Sequence, residues 1–305
     1  MILVAGGQLD PNIGRFLKRL IELDVPFKEL IVGPDCNPSI AFELGDTALN
    51  IDGERVHPTS AFIRHDVFWS QQCRDKGYLP SVALNWYYAI RGWMLSNEKI
   101  RCFNRFSSSS ENNKIFNLCH ARKCGLQIGE TLVATLSSSD IDRYLEIEAI
   151  VKPVAGGSLT TELRSSLSLS KPQTGHAPSV DYPRFVQKKL DRPEVRVFGV
   201  GDQVFAFSIT SVDLDYRERH QAKIEMIVPP EEVVPGLKKL AGILDLTFYA
   251  ADFMRDDAKN LVFLEINTQP MFVAFDNISG GRIADAAISF LEPSIERGGN
   301  KCLIT

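Results

Sequence analysis

The chain has 305 residues, 44% of them hydrophobic, with 34 Lys and Arg against 38 Asp and Glu, a formal net charge of −4 and a pI near 5.8. That is enough apolar material for a sizeable core and enough length for two or three compact units, while the mild acidity argues against a dominant nucleic-acid or membrane-surface role, which calls for basic patches. No apolar run approaches the ~18 to 20 residues that span a bilayer, and the start, Met1 to Gly7, lacks the charged flank and length of a signal peptide, so a cytoplasmic location is expected. Six cysteines (Cys36, Cys73, Cys102, Cys119, Cys124, Cys302) form no CxxC pair and the five histidines no HExxH spacing. The cysteines read as reduced thiols that fill core or surface.

Ile2 to Ala5 predicts a strand, Gly6-Gly7 a tight turn that is also a candidate ligand contact, and Ile13 to Leu23 a helix capped by Asp10 or Asn12. A second strand at Glu29 to Val32 gives the start an α/β rhythm. Asp52-Gly53 centres a hairpin over Ala48 to Val56, and Ala61 to Val67 is a strand ending at Arg64-His65-Asp66, where binding groups of α/β proteins gather. The aromatic-rich stretch Leu79 to Leu95 reads as a core-packing helix. After a short strand at Ile100 to Phe103, Asn104 to Asn113 is a serine-rich linker and the first domain boundary.

A helix follows from Asn112 or Asn113 to Gly125, then a strand at Thr131 to Thr135 and a short helix capped by Ser137 to Asp140. Ala149 to Ser158 delivers Lys152 from a buried strand into a glycine loop, Gly156-Gly157-Ser158, whose N–H groups can cradle phosphate oxygens. Ser165 to Asp181 reads as a loop. Arg184 to Leu190 is a strand and connector, and Glu194 to Ile209 a hairpin that sets Arg196 inside an apolar strand. A guanidinium there needs an anion, either a phosphate or Glu194 two residues away. Asp213 to His220 is a charged segment in which Arg217 could hold a substrate carboxylate. Pro235 to Leu244 and Arg282 to Leu291 are helices.

Between those helices, Ala250 to Asn267 reads as two apolar strands joined by the polar turn Arg255 to Asn260. Period two places Asp252, Glu265 and Asn267 on one face. Carboxylates that close repel unless a cation lies between them, and a hard divalent ion suits two carboxylates and an amide oxygen. The plain alternative is a hairpin whose acids face water.

The ordered set Lys114, Lys152 before a glycine loop, Phe185-Val186-Gln187-Lys188-Lys189-Leu190, Arg196, and then Asp252, Glu265 and Asn267 resembles the ATP-grasp ligases over roughly residues 100 to 290. Phe263-Leu264-Glu265-Ile266-Asn267 is its most specific part. The resemblance implies a mixed α/β and α+β chain: an N-terminal α/β domain over 1–106, a small lobe with the glycine loop over 107–186, and a large lobe with the metal site over 187–305, the two lobes clamping ATP. It implies that Lys114, Lys152, Gly156, Gly157 and Ser158 hold the ATP phosphates, and that Gln187, Lys188 and Leu190 line the adenine. Arg196 touches the terminal phosphate, and Asp252, Glu265 and Asn267 hold Mg²⁺, with Mn²⁺ as an alternative ion. Many relatives place a glutamate where this chain has Lys188, which leaves a backbone carbonyl to take the adenine amino group.

The implied chemistry is ADP-forming activation of a carboxylate as an acyl phosphate, attacked by an amine or a hydroxyl. Such phosphoryl transfer needs positioning and charge neutralisation rather than a protein nucleophile. Within the superfamily, Val186 to Ile209 and Asp215-Tyr216-Arg217 are most similar to the peptide-modifying graspetide (microviridin-type) synthetases and related glutamate ligases, whereas the first hundred residues match them poorly. Expected partners are ATP, a carboxylate-bearing peptide or amino acid and a nucleophile, with no nucleic acid or membrane; self-association stays open. The alternatives are a small-molecule amino-acid or amine ligase, a kinase releasing a phosphorylated small molecule, and a non-catalytic nucleotide-binding scaffold.

Overall fold

A computed structural model describes residues 1–68, 80–107, 112–155, 160–169, 180–211 and 222–293. In chain order the elements are β1 (Ile2–Gly7), α1 (Pro11–Glu22), β2 (Phe27–Val32), β3 (Ile40–Ala41), β4 (Leu49–Ile51), β5 (Glu54–Val56), β6 (Ser60–Ile63), α2 (Pro80–Ser96), β7 (Arg101–Cys102) and α3 (Lys114–Lys123). They continue with β8 (Thr131–Ala134), a 3₁₀ turn (Ser139–Tyr144), β9 (Ala149–Pro153), β10 (Thr161–Glu162), α4 (Leu163–Leu169), β11 (Arg184–Lys188), β12 (Asp191–Val200) and β13 (Gln203–Thr210). The last are β14 (Lys223–Ile227), α5 (Val234–Ile243), β15 (Phe248–Arg255), β16 (Leu261–Asn267), α6 (Val273–Ile278) and α7 (Arg282–Leu291).

The strands form four sheets: a parallel one in the order β2-β1-β6-β7, a small one β3-β4-β5, a four-stranded antiparallel one β10-β9-β11-β8, and a five-stranded one β14-β13-β12-β15-β16. Local chemistry accounts for several boundaries. Asp10 caps α1 by accepting from the Asn12 N–H at 2.8 Å, and Pro11 opens the helix. Asp52 (φ 52°) and Gly53 (φ 81°) make the two-residue turn that joins β4 to β5.

One face of the parallel sheet carries Ile2, Val4 and Phe62 into a core with Phe16 of α1, Phe198 and Phe248 of the five-stranded sheet, and Phe272. Its other face packs Leu3, Ala5 and Ala61 on Trp93 and Met94 of α2 and on the small sheet. The opposite face of the five-stranded sheet, with Val197, Ala251 and Phe263, is covered by α3 and α5. The four-stranded sheet has its own core, which includes Val151, Val186, Tyr144 and Leu163. Period two turns the alternate residues, Lys152, Phe185 and Gln187, to its other side, and Phe185 joins the core of the five-stranded sheet.

One expectation changes, and two gain structural detail. Leu163–Leu169 is helix α4 rather than part of a loop, because Leu163 is buried and Leu167 packs against the same core one turn on. Arg64, a candidate binding group at the end of β6, is tied down within the fold. It is 3% exposed and donates to Asp10 Oδ2 at 2.7 Å and to the Pro270 carbonyl at 3.0 Å, so it staples β6 to the segment after β16. Gly7 serves close packing, since a Cβ there would stand 2.0 Å from Asp66 Oδ2.

Candidate active site

Strand register assembles the site. On the five-stranded sheet Arg196 of β12 lies beside Asp252 of β15, and Asp252 beside Glu265 of β16, so three charged residues stand in a row across three strands. The β15/β16 pairing shifts after Asp252, with Phe253 opposite Phe263, which leaves Leu264 as the extra residue of a bulge. The bulge lets Glu265 and Asn267 share the face of Asp252 while Phe253 and Phe263 both return to the core on the far side. The expected convergence of Asp252, Glu265 and Asn267 is therefore present. The Asn267 amide donates to Asp252 Oδ2 at 3.3 Å and to Glu265 Oε1 at 3.2 Å.

Arg196 pairs closely with Asp252 and more loosely with Glu194. Its Nε donates to Asp252 Oδ1 at 2.6 Å and its Nη2 to Oδ2 at 2.9 Å, a two-point fork, whereas Glu194 stands 4.0 Å away. The guanidinium also lies over the Phe275 ring, 5.2 Å from its centroid. Lys114 opens α3, which Asn113 caps and the Asn112 amide pins to the Ile266 carbonyl at 3.0 Å. Its Nζ reaches Glu265 Oε2 at 3.0 Å. Lys152 approaches from β9, with its ammonium over Phe185 and within electrostatic reach of Glu265, Lys114, Asp252 and Glu194.

Burial and charge act in opposite directions here. Burial pushes the Glu265 carboxyl up, but Lys114 and Lys152, with hydrogen bonds from Lys114 and Asn267, overcome it and hold the group down at about 2. Burial, helped by the charge of Asp252 and resisted by Arg196, raises Glu194 to about 7. Burial also lowers Lys152, against the pull of Glu265.

Two carboxylates and an amide are a hard-oxygen set suited to Mg²⁺. Among the described residues no group of three or more His, Cys, Asp or Glu gathers as ligands, so an ion at Asp252, Glu265 and Asn267 takes its remaining ligands from water or phosphate. The residues fit. Arg196 and Lys114 supply the positive charge that two close carboxylates require, and turning the Asn267 amide over presents its oxygen in place of its nitrogen.

Gln187 is buried and donates to Thr131 Oγ1 at 2.7 Å, on the same sheet face as Lys152. Lys188 is exposed and paired with Asp257 of the β15–β16 turn, and Leu190 is half-buried in the connector to β12. Gly156, Gly157, Ser158 and Arg217 lie outside the described residues, as does the whole charged segment Asp213 to His220. Sequence reasoning treated Glu194 only as a partner for Arg196. Its signal was period two from Arg196 along an apolar strand.

This arrangement, with an antiparallel sheet bearing a lysine facing a larger sheet that bears paired acids and an arginine, is the ATP-grasp fold, which solved structures share along nearly the whole chain. The ATP-grasp ligase PsnB, solved with a phosphomimetic variant of its minimal precursor, Mg and ADP, is 21% identical, with 95% of this chain and 98% of that one covered at a TM-score of 0.71. The macrocyclase MdnC bound with precursor peptide MdnA, from Microcystis aeruginosa MRC, is 17% identical, with 96% and 99% covered and a TM-score of 0.71. A Chryseobacterium gregarium RiPP-associated ATP-grasp ligase, in complex with ADP and a leader and core peptide, is 17% identical, with 96% of each chain covered at 0.70. No protein-family model matches the chain, and no curated protein matches it.

Proposed function

We propose that the protein is an ATP-dependent, ADP-forming carboxylate ligase acting on a peptide. The observation that carries the reading is the convergence of Lys114, Lys152 and Arg196 on Asp252, Glu265 and Asn267 from three separate elements. A non-catalytic scaffold has no need of the whole set. Solved neighbours with this fold hold a minimal-precursor variant, a precursor peptide, and a leader and core peptide, which supports a peptide rather than a free amino acid as substrate.

In this reading Lys114, Lys152 and Arg196 bind the phosphates, and Gln187, Lys188 and Leu190 lie along the base. Gly156, Gly157 and Ser158 close over the phosphates, and Arg217 orients the substrate carboxylate. A divalent ion held by Asp252, Glu265 and Asn267 supplies charge neutralisation at the phosphate oxygens. Arg196 and Lys114 leave their carboxylates for the nucleotide. A substrate carboxylate oxygen attacks the γ-phosphorus, an O–P bond forms, and the bond to the leaving ADP breaks. The amine or hydroxyl then attacks the acyl carbon, loses its proton and expels inorganic phosphate. Arg196 stabilises the charge on the transferring group without reorganising solvent.

Hydroxylamine added with ATP, Mg²⁺ and a carboxylate-rich peptide is expected to yield ADP and a hydroxamate, because an activated acyl group is trapped in that way and ADP marks it as an acyl phosphate rather than an acyl adenylate. Glu265→Gln is expected to lower turnover by about 100-fold or more while leaving the melting temperature within a few degrees. Formation of AMP in place of ADP refutes the mechanism. The absence of a membrane-length apolar helix among the described residues is compatible with the cytoplasmic location we infer.

A further inference from the structure

Three arginines are buried among the described residues: Arg64, Arg91 and Arg196. Arg64 faces Asp10 and Arg196 faces Asp252, each at hydrogen-bond distance. Arg91, on α2 and 8% exposed, differs, since no Asp or Glu among the described residues pairs with it. Its Nη2 donates to the carbonyls of Asn104 at 2.9 Å, Arg105 at 3.0 Å and Ser107 at 3.1 Å, and its guanidinium lies 6.0 Å from the centroid of the Tyr87 ring. Nε and Nη1 donate to none of the described residues. Carbonyl dipoles offset part of the desolvation of a guanidinium, but a largely buried cation with no carboxylate partner among the described residues is costly to hold.

Arg91 forms part of the wall of a recess of ≈ 470 Å³, counting the space at its mouth, between α2, the ends of β6 and β7, and Thr268–Gln269. Its apolar lining includes Ala61 and Met94, which pack together on one face of the parallel sheet. Its charged lining is Arg91 and Arg64, the latter paired with Asp10, while the Asn104 and Gln269 amides are bonded within the protein. An inorganic anion would use only the charged part. We propose that this recess binds a carboxylate carried on a short apolar stem, of the size of propionate or of an Asp or Glu side chain, with the carboxylate on Arg91 and the stem against Ala61 and Met94.

Thr268 and Gln269 directly follow Asn267 in the chain, so the recess adjoins the end of the strand that carries two of the acidic-site residues. If the ligase reading holds, a second carboxylate of the peptide substrate is one source and a free small acid the other. That identification rests on the proposed function, whereas the recess and its buried arginine do not.

The test needs no ATP. Propionate, and separately glutamate blocked at both ends as a peptide-like probe, are titrated calorimetrically into the full chain at constant ionic strength, with Arg91→Gln in parallel. Saturable binding to the parent chain, weakened about tenfold or more by the substitution, is expected. Binding of both probes assigns a peptide side chain, and binding of propionate alone a free acid. Equal binding with and without the guanidinium, or saturable binding of neither probe, overturns the proposal. Should Arg91→Gln fail to fold once the Asn104 to Ser107 carbonyls lose their donor, crystals of the parent chain soaked in 3-bromopropionate decide. Anomalous bromine signal in the recess supports the site, and its absence there refutes it. Failure of ligase assays would leave these outcomes unchanged.

Discussion

Glu194 and Glu265 stand on the same sheet face, yet their environments drive them apart. Burial first, then the charge of Asp252, raises Glu194 to about 7 from an ordinary 4.5, in spite of Arg196. Between those values the folded chain holds a proton that the unfolded chain has released, so stability falls as pH rises from about 4.5 to 7. Glu265 behaves oppositely. Held at about 2, its contribution is fully present above the ordinary 4.5 and is lost as pH falls through about 2. Glu194→Gln should therefore abolish the decline at mildly acid pH, a contribution on the order of 3 kcal/mol at most, and leave the acid limb intact. Urea denaturation of both proteins across that window checks it, and parallel curves would show that Glu194 is not the group responsible. The sequence made this residue visible through period two from Arg196. It could not make its state visible, because Asp252, the charge that helps raise it, arrives from a strand 58 residues further along.

At the level of elements, what was legible followed from closeness in sequence. The β15–β16 hairpin and its three oxygen ligands are contained in Phe248 to Asn267, and alternation put Glu265 and Asn267 on one face, but the Leu264 bulge that brings that face to Asp252 was not legible. The Arg196–Asp252 fork was not legible, since strands β12 and β15 become neighbours only after β13, β14 and α5 have intervened. Nor was α4, whose serines are weak helix formers and which packing of Leu163 and Leu167 holds in place. The segment from Asn104 on looked like a plain linker, yet Asn104 is a structural clasp. With φ at 48°, a region asparagine tolerates, its side chain accepts from the Thr247 and Phe248 N–H groups at 2.8 and 3.0 Å. It also donates to the carbonyls of Phe248 and Thr268, each at 2.7 Å. Asn104→Ala leaves those buried peptide groups without their partner and should cost about 3 kcal/mol, read as a lower urea midpoint with an unchanged slope. A change under about 0.5 kcal/mol, ordinary for a surface position, would mean that water replaces the amide at no cost.

For the molecule as a whole, the expected division at residue 106 meets a core that crosses it. Phe16 and Phe62 stack at 4.2 Å between ring centroids, and Phe62 in turn contacts Phe248 and Phe272, which belong to the far end of the chain. Polar links run the same way: Arg15 pairs with the fully buried Asp276, and Arg19 with Asp285. The parallel and five-stranded sheets should therefore open together, while β8, β9 and β11, which share a small core of their own, should open separately at a lower free energy. Native-state hydrogen exchange resolves the two. Phe62→Ala should lower protection in β1 and in β15 by a common amount of about 3 kcal/mol and leave β9 and β11 unchanged. If residues 1–106 formed an independent unit, β15 would instead keep its protection. Such a difference would have a functional logic under the proposed reaction: the acidic row belongs to the body expected to be more stable, and Lys152 and Gln187 to the sheet expected to open more easily. Nucleotide bound to both should raise the protection of β9 and β11 more than that of β12 and β15, because the ligand adds its binding free energy to the opening that must break it.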